Sequence, residues 1–77
     1  MRLTHDTEHD LSYLHLRGSD DDVGTVTSVP VTPPNPGDLT DELVLDFDRD
    51  GRLVGIEFLR ATRRLQPSVL ADADRRA

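Results

Sequence analysis

Two alternating apolar runs separated by a short charged stretch dominate this chain. Leu43, Leu45 and Phe47 alternate with Val44 and Asp46, Asp48-Arg49-Asp50-Gly51 intervenes, and Leu53-Val54-Gly55-Ile56-Glu57-Phe58 resumes the alternation. A period of two marks a strand with one buried face, because successive side chains point to opposite sides. Gly51 can take the positive φ that a three-residue hairpin loop with a bulge requires. The segment therefore reads as strand, tight turn, strand, and such a loop pairs Phe47 with Leu53 and Val44 with Ile56. A lone hairpin is marginal in water, so the rest of the chain has to cover its apolar side.

The material for doing so is limited. The chain has 77 residues, 35% of them hydrophobic, and its aromatic residues are Tyr13, Phe47 and Phe58. A chain of this length buries only ~60% of the surface its unfolded form exposes, so the core is thin and a large enclosed active site is not expected. Cysteine is absent, which removes disulfides, thiolate zinc sites and cysteine nucleophiles. No apolar run approaches the ~20 residues of a membrane span, and the N-terminus lacks a basic-then-apolar signal pattern. A soluble cytoplasmic protein is expected.

Elsewhere, Met1 to Thr4 and Leu11 to Leu16 alternate around the turn-like stretch His5-Asp6-Thr7-Glu8-His9-Asp10 and read as a first hairpin. Arg17 to Asp22 is a polar break. Val23 to Val31, rich in Val and Thr, is a third strand, with Pro30 pointing to an edge or a strand end. Thr32-Pro33-Pro34-Asn35-Pro36-Gly37-Asp38 can belong to neither a helix nor a central strand and forms a surface connection. Leu59 to Leu65 holds acceptable helix formers and stops before Pro67, giving a helix of about two turns. Residues 66–77 follow as a tail, partly helical or frayed.

Charge divides the chain. Residues 1–59 carry four Arg against thirteen Asp and Glu, a net of −9, whereas residues 60–77 carry five Arg and two Asp, a net of +3. The acidic body repels phosphate, which argues against nucleic acid as a partner. Asp20, Asp21 and Asp22 on one side and Arg60, Arg63 and Arg64 on the other are the candidate partner surfaces. The three arginines fit one helix face, where they also offset the C-terminal helix dipole.

Asp46-x-Asp48-x-Asp50-Gly51, with Glu57 at the twelfth position, matches the spacing of an EF-hand calcium loop. Such a loop needs a helix on each side, and the flanking residues show the strand period instead. In a hairpin, Glu57 runs about 10 Å or more along the second strand from the turn and does not close a shell around Asp48 and Asp50. His5 and His9 have the spacing of a helical metal pair, but residues 5–9 read as a loop with solvated side chains. Carboxylate pairs such as Asp6 and Glu8 would need a pocket to act as acid and base.

The ordered residues Asp6-x-Glu8-x-Asp10, Tyr13-Leu14-x-Leu16, Leu43-Val44-Leu45-Asp46-Phe47-Asp48-x-Asp50-Gly51-x-Leu53-Val54-Gly55-Ile56-Glu57-Phe58-Leu59 and Ala61-Thr62 carry a resemblance. Over residues 1–65 the chain resembles the small prokaryotic family catalogued as domain of unknown function 2283. It departs from that family at Ser12, where an apolar residue is usual, and in the longer proline-rich connection at Thr32 to Thr40. The resemblance implies an antiparallel sheet with a C-terminal helix, and a strand-turn-strand role for the Asp-x-Asp-Gly segment. It implies no activity and no catalytic residues. Small families of this sort often neighbour toxin-like proteins, which by association implies an antitoxin-like or regulatory partner role.

The expected fold is α+β, a small antiparallel sheet of four to five strands built from hairpins, with one short C-terminal helix. Residues 1–65 form a single domain with a proline-rich surface loop at 32–38. The sheet face left over once the helix docks predicts a homo-oligomer, a dimer in the simplest case. The expected function is a non-catalytic, acidic protein-interaction module facing a basic protein partner, with no cofactor and no membrane. The alternatives are a Ca²⁺-binding regulatory domain using Asp46, Asp48, Asp50 and Glu57, and a minor enzyme subunit.

Overall fold

A computed structural model describes residues 1–16, 27–34 and 43–76 of the chain. Its strands are β1 (Arg2–Asp6), β2 (Leu11–His15), β3 (Thr27–Val31), β4 (Leu43–Phe47), β5 (Leu53–Leu59) and β6 (Asp74–Arg76). Two short helices, α1 (Ala61–Arg64) and α2 (Pro67–Ala71), lie between β5 and β6. The strands form one sheet in the order β3-β4-β5-β2-β1-β6. Five pair antiparallel, and β6 joins the β1 edge in parallel. The α+β class and the antiparallel sheet agree with the sequence reading. The expected helix from Leu59 to Leu65 is corrected to the single turn Ala61–Arg64, because Leu59 ends β5 and Leu65 is extended, and Pro67 starts a second helix at its first position.

The first hairpin is longer than its apolar alternation suggests. β1 continues through His5 and Asp6, which pair with Ser12 and Leu11. Asp6 then organises the turn, its Oδ1 accepting the backbone N–H groups of Glu8 and His9 at 3.0 and 3.2 Å. That is the turn chemistry for which Asp is favoured.

The β4–β5 hairpin has the expected three-residue loop. Asp48 and Arg52 close it, with the Asp48 N–H donating to the Arg52 carbonyl at 2.9 Å. Gly51 donates to the Asp48 carbonyl at 3.0 Å and sits at φ +79°. Phe47 pairs with Leu53 as expected. The Val44–Ile56 pairing is corrected: Val44 lies opposite Glu57 and Leu45 opposite Ile56. A bulge causes the shift, since Asp46 pairs with Gly55 and Phe47 with Leu53, leaving Val54 as the extra residue.

The register sorts side chains onto two faces. Leu3, His5, Ser12, Leu14, Leu43, Leu45, Ile56 and Phe58 occupy cross-strand positions of one face, joined by Val29 and Val31 of β3. Thr4, Tyr13, Asp46, Ser28 and Glu57 occupy the other, with Gly55 among them. Among the described residues, the fully buried hydrophobic ones are Val54, Ala61 and Ala73. The core is thin, as a chain this short dictates.

The connection from β5 to β6 passes over the first face, because Pro67, Leu70 and Ala71 of α2 flank a cavity whose wall includes His5. α1 is fixed at its start by a residue from far along the chain. Arg60 is its N-cap at φ 54° with no capping side chain. Asp10 supplies the cap instead: its backbone carbonyl accepts from Ala61 N–H at 2.9 Å. Its carboxylate accepts from Thr62 N–H at 3.0 Å and from the Thr62 hydroxyl at 2.7 Å. These bonds satisfy N–H groups that the helix cannot satisfy itself.

Candidate binding surfaces

The four carboxylates of the calcium-like motif serve different parts of the hairpin. Asp46 projects from β4 onto the polar face, where its Oδ2 accepts from the Tyr13 hydroxyl at 2.8 Å and its Oδ1 from Ser28 Oγ at 2.7 Å. Asp48 is buried, and its Oδ1 accepts the backbone N–H groups of Asp50 and Arg52 at 2.9 and 3.0 Å. Asp50 is exposed in the turn. Glu57 lies on β5 opposite Val44 and Tyr13. Among the described residues, no three of His, Cys, Asp and Glu are grouped as a metal ion would need.

The candidate partner residues are similarly divided. Asp20, Asp21 and Asp22 lie outside the described residues, as do Val23 to Val26 of the expected third strand and residues 35–38 of the proline-rich loop. Arg60 and Arg63 are exposed at α1. Arg64 is half-buried and turns back onto the chain, its Nη1 donating to the Pro34 carbonyl at 2.9 Å. That bond ties α1 to the segment after β3, where Pro33 is buried rather than part of an exposed loop.

The histidine reading changes most. His9 is exposed in the first turn, with Nδ1 2.9 Å from Asp6 Oδ2. That contact, the largest influence, together with the Glu8 and His9 backbone N–H groups, holds the Asp6 carboxyl below its ordinary value. His5, expected as a solvated loop residue, is a strand residue only 4% exposed. Its Nδ1 lies 2.8 Å from the hydroxyl of Ser12, its cross-strand partner, and 3.2 Å from the Leu11 carbonyl. Ser12, 2% exposed, thus takes part in a buried polar pair rather than leaving a defect in the hairpin. The hairpin register would have revealed the pair, since pairing Leu3 with Leu14 sets His5 opposite Ser12.

On the opposite face, Tyr13 covers Gly55. A Cβ at position 55 would overlap the hydroxyl, Cζ and Cε2 of Tyr13. The bare backbone lets the ring lie flat across β5 and reach Asp46 on β4. His15 packs against the same ring edge-to-face, with centroids 4.6 Å apart. Ser28, Asp46, Tyr13 and His15 thereby form a polar row across β3, β4, β5 and β2.

The profile of the family described as Protein of unknown function (DUF2283) matches residues 2–61. The chain belongs to this family. The DUF2283 segment contains β1 to β5, the Asp10 turn and the first residue of α1, while α2 and β6 lie beyond it. It also contains both halves of the His5–Ser12 pair and the whole Tyr13–Gly55–Asp46 arrangement. Searches of curated proteins and of solved structures found no match. No helix among the described residues is long and apolar enough to cross a membrane.

Proposed function

We propose that this DUF2283 protein is a non-catalytic protein-interaction module whose contact surface is the apolar side of the sheet at β3, β4 and β5. One observation carries the reading: apolar side chains there retain substantial exposure. Val29 is 40% and Leu53 37% exposed, and Val31, Leu43, Leu45 and Ile56 around them are only half-buried. A contiguous apolar patch of this kind on a small chain is a recurrent mark of a protein contact. The edge position of β3 adds backbone groups that a partner strand could engage.

Charge favours a basic partner over a second copy. Two bodies that each carry an excess of acid repel, most strongly at low salt, whereas a basic protein is drawn to the same surface. A toxin-like basic protein fits this description and gives an antitoxin-like role. The test is affinity purification of the tagged chain from its native host beside the Val29→Asp/Leu53→Asp variant. A stoichiometric basic protein held by the parent and lost by the variant supports the reading. No retained protein, or a retained protein indifferent to the variant, overturns it. Sedimentation reports the competing occupant, with a dimer replacing the 8.6 kDa monomer.

A further inference from the structure

We propose that the β3 edge takes up a segment of a partner protein as a further strand, with an arginine or lysine between two apolar residues set opposite Ser28. The proposal rests on the β3–β4–β5 contact reading and adds the manner of binding. β3 is the outermost strand on its side of the sheet, and among the described residues β4 is its one neighbour. Thr27 to Pro30 are exposed and Val31 is half-buried.

The register and one proline fix which backbone groups face outward. In an antiparallel ladder, residues that exchange both bonds with the neighbouring strand alternate with residues whose N–H and C=O turn away. Pro30 has no N–H to exchange, yet it keeps its place opposite Val44, between the Val29–Leu45 and Val31–Leu43 pairs. Thr27, Val29 and Val31 are therefore the residues bonded to β4, and Ser28 and Pro30 present their backbone groups at the edge. That edge offers one donor, the Ser28 N–H, and two acceptors, the Ser28 and Pro30 carbonyls. Ser28 can exchange two bonds with a single partner residue, and Pro30 can accept a third.

Side chains assign the partner's sequence. Strand alternation puts the residue opposite Ser28 on the polar face and its two neighbours on the apolar face, beside Thr27 and Val29. Apolar neighbours there continue the row formed by Val29 and Leu45. On the polar face, Asp46 is half-buried and lies one strand inward of Ser28. Its two bonds come from the uncharged hydroxyls of Tyr13 and Ser28, and no cation among the described residues forms an ion pair with it. A partner side chain opposite Ser28 starts two strand spacings from Asp46, about 10 Å, within the combined reach of an arginine and an aspartate. A basic residue at that place meets a carboxylate not yet neutralised.

The probe is the capped peptide Ser-Thr-Val-Arg-Val-Thr-Ser, followed by NMR on the full chain. Saturable binding with a Kd of about 1 mM is expected. With peptide at about ten times Kd, exchange of the Ser28 amide should slow about tenfold. N-methylation of the peptide arginine removes the donor to Ser28 and should weaken binding at least about tenfold, whereas N-methylation of the valine after it, whose N–H points away, should change binding less than about threefold. Glutamate in place of the arginine should weaken binding at least about threefold. Pro30→Ala gives the edge a second donor and should tighten binding about fivefold. No saturable binding, an unslowed Ser28 amide, equal losses from the two N-methyl groups, equal affinity for the glutamate peptide or no gain from Pro30→Ala would each overturn strand addition. The Val29→Asp/Leu53→Asp comparison in the native host reports separately on the apolar surface, so peptide contacts confined to Val29, Leu45 and Leu53 would overturn this proposal alone. The peptide measurements use the parent protein and hold even if Pro30→Ala fails to fold.

Discussion

The ring of Tyr13 occupies the space that a side chain at Gly55 would fill, and its hydroxyl ends on the Asp46 carboxylate at 2.8 Å. Three adjacent strands are joined through this overlap. Gly55→Ala should displace the ring and destabilise the protein by about 1–3 kcal/mol, the usual range for overpacking. Tyr13→Phe keeps the ring and loses the bond, at a cost of about 1–2 kcal/mol. Because the two residues share one volume, Tyr13→Ala/Gly55→Ala should cost less than the sum of its parts in urea denaturation. Strict additivity would show that the ring does not rest on Gly55.

A second prediction concerns the cap that Asp10 provides to α1. Asp10 holds φ at 54° and accepts three hydrogen bonds from Ala61 and Thr62. Asp10→Ala loses the carboxylate and strains the backbone, and should cost about 1–3 kcal/mol. Asp10→Asn tolerates the backbone and keeps one acceptor, so its loss should be about 1 kcal/mol or less. Amide exchange at Thr62 should accelerate in the first variant far more than in the second.

Acid should act on the first turn through Asp6. Its folded pKa lies below the ordinary 3.8, chiefly because of the hydrogen bond with His9. A carboxyl whose pKa is lowered by folding contributes stability that is complete above its unfolded value and is lost as pH falls through the folded one. Melting temperatures of the parent should therefore exceed those of Asp6→Asn at neutral pH, and the gap should close progressively as pH falls below 3.8. A gap that does not close in acid would show that the carboxylate charge is irrelevant to the turn.

The β4–β5 turn is the fourth test. Asp48 accepts two backbone N–H groups and Gly51 sits at φ +79°. Asp48→Ala should cost about 1–3 kcal/mol by leaving those donors unpaired, and Gly51→Ala about 1 kcal/mol through its backbone. Added Ca²⁺ should not restore either variant, because the carboxylates are distributed between the turn and the polar face. A Ca²⁺-dependent rise in the melting temperature of the parent would contradict this distribution.

The elements easiest to read from the sequence are those whose pattern is local. The Leu43 to Leu59 hairpin and its Gly51 loop follow from alternation and a single glycine. The register of Val44 does not, because a bulge at Val54 leaves no mark in a hydropathy pattern. The far end of β1 is hidden because His5 and Asp6 look like loop residues until Ser12 is placed across from them. Its buried polar pair is a property of two strands, and neither strand shows it alone. Asp74-Arg75-Arg76 has no strand signature at all, and its pairing with β1 is set by where the crossover through α1 and α2 delivers the chain. The same long-range dependence hides the Asp10 cap, which joins residues 52 positions apart.

β6 lies outside the stretch that defines the family, yet it occupies one flank of the sheet. A chain ending after residue 61 would keep every strand of the family segment and leave β1 with a bare rank of N–H and C=O groups. Such an edge invites strand addition from whatever extended chain it meets, including another molecule of itself. β6 pairs with that rank along Thr4, His5 and Asp6, so that β3 and β6, rather than β3 and β1, are the outer strands of the sheet.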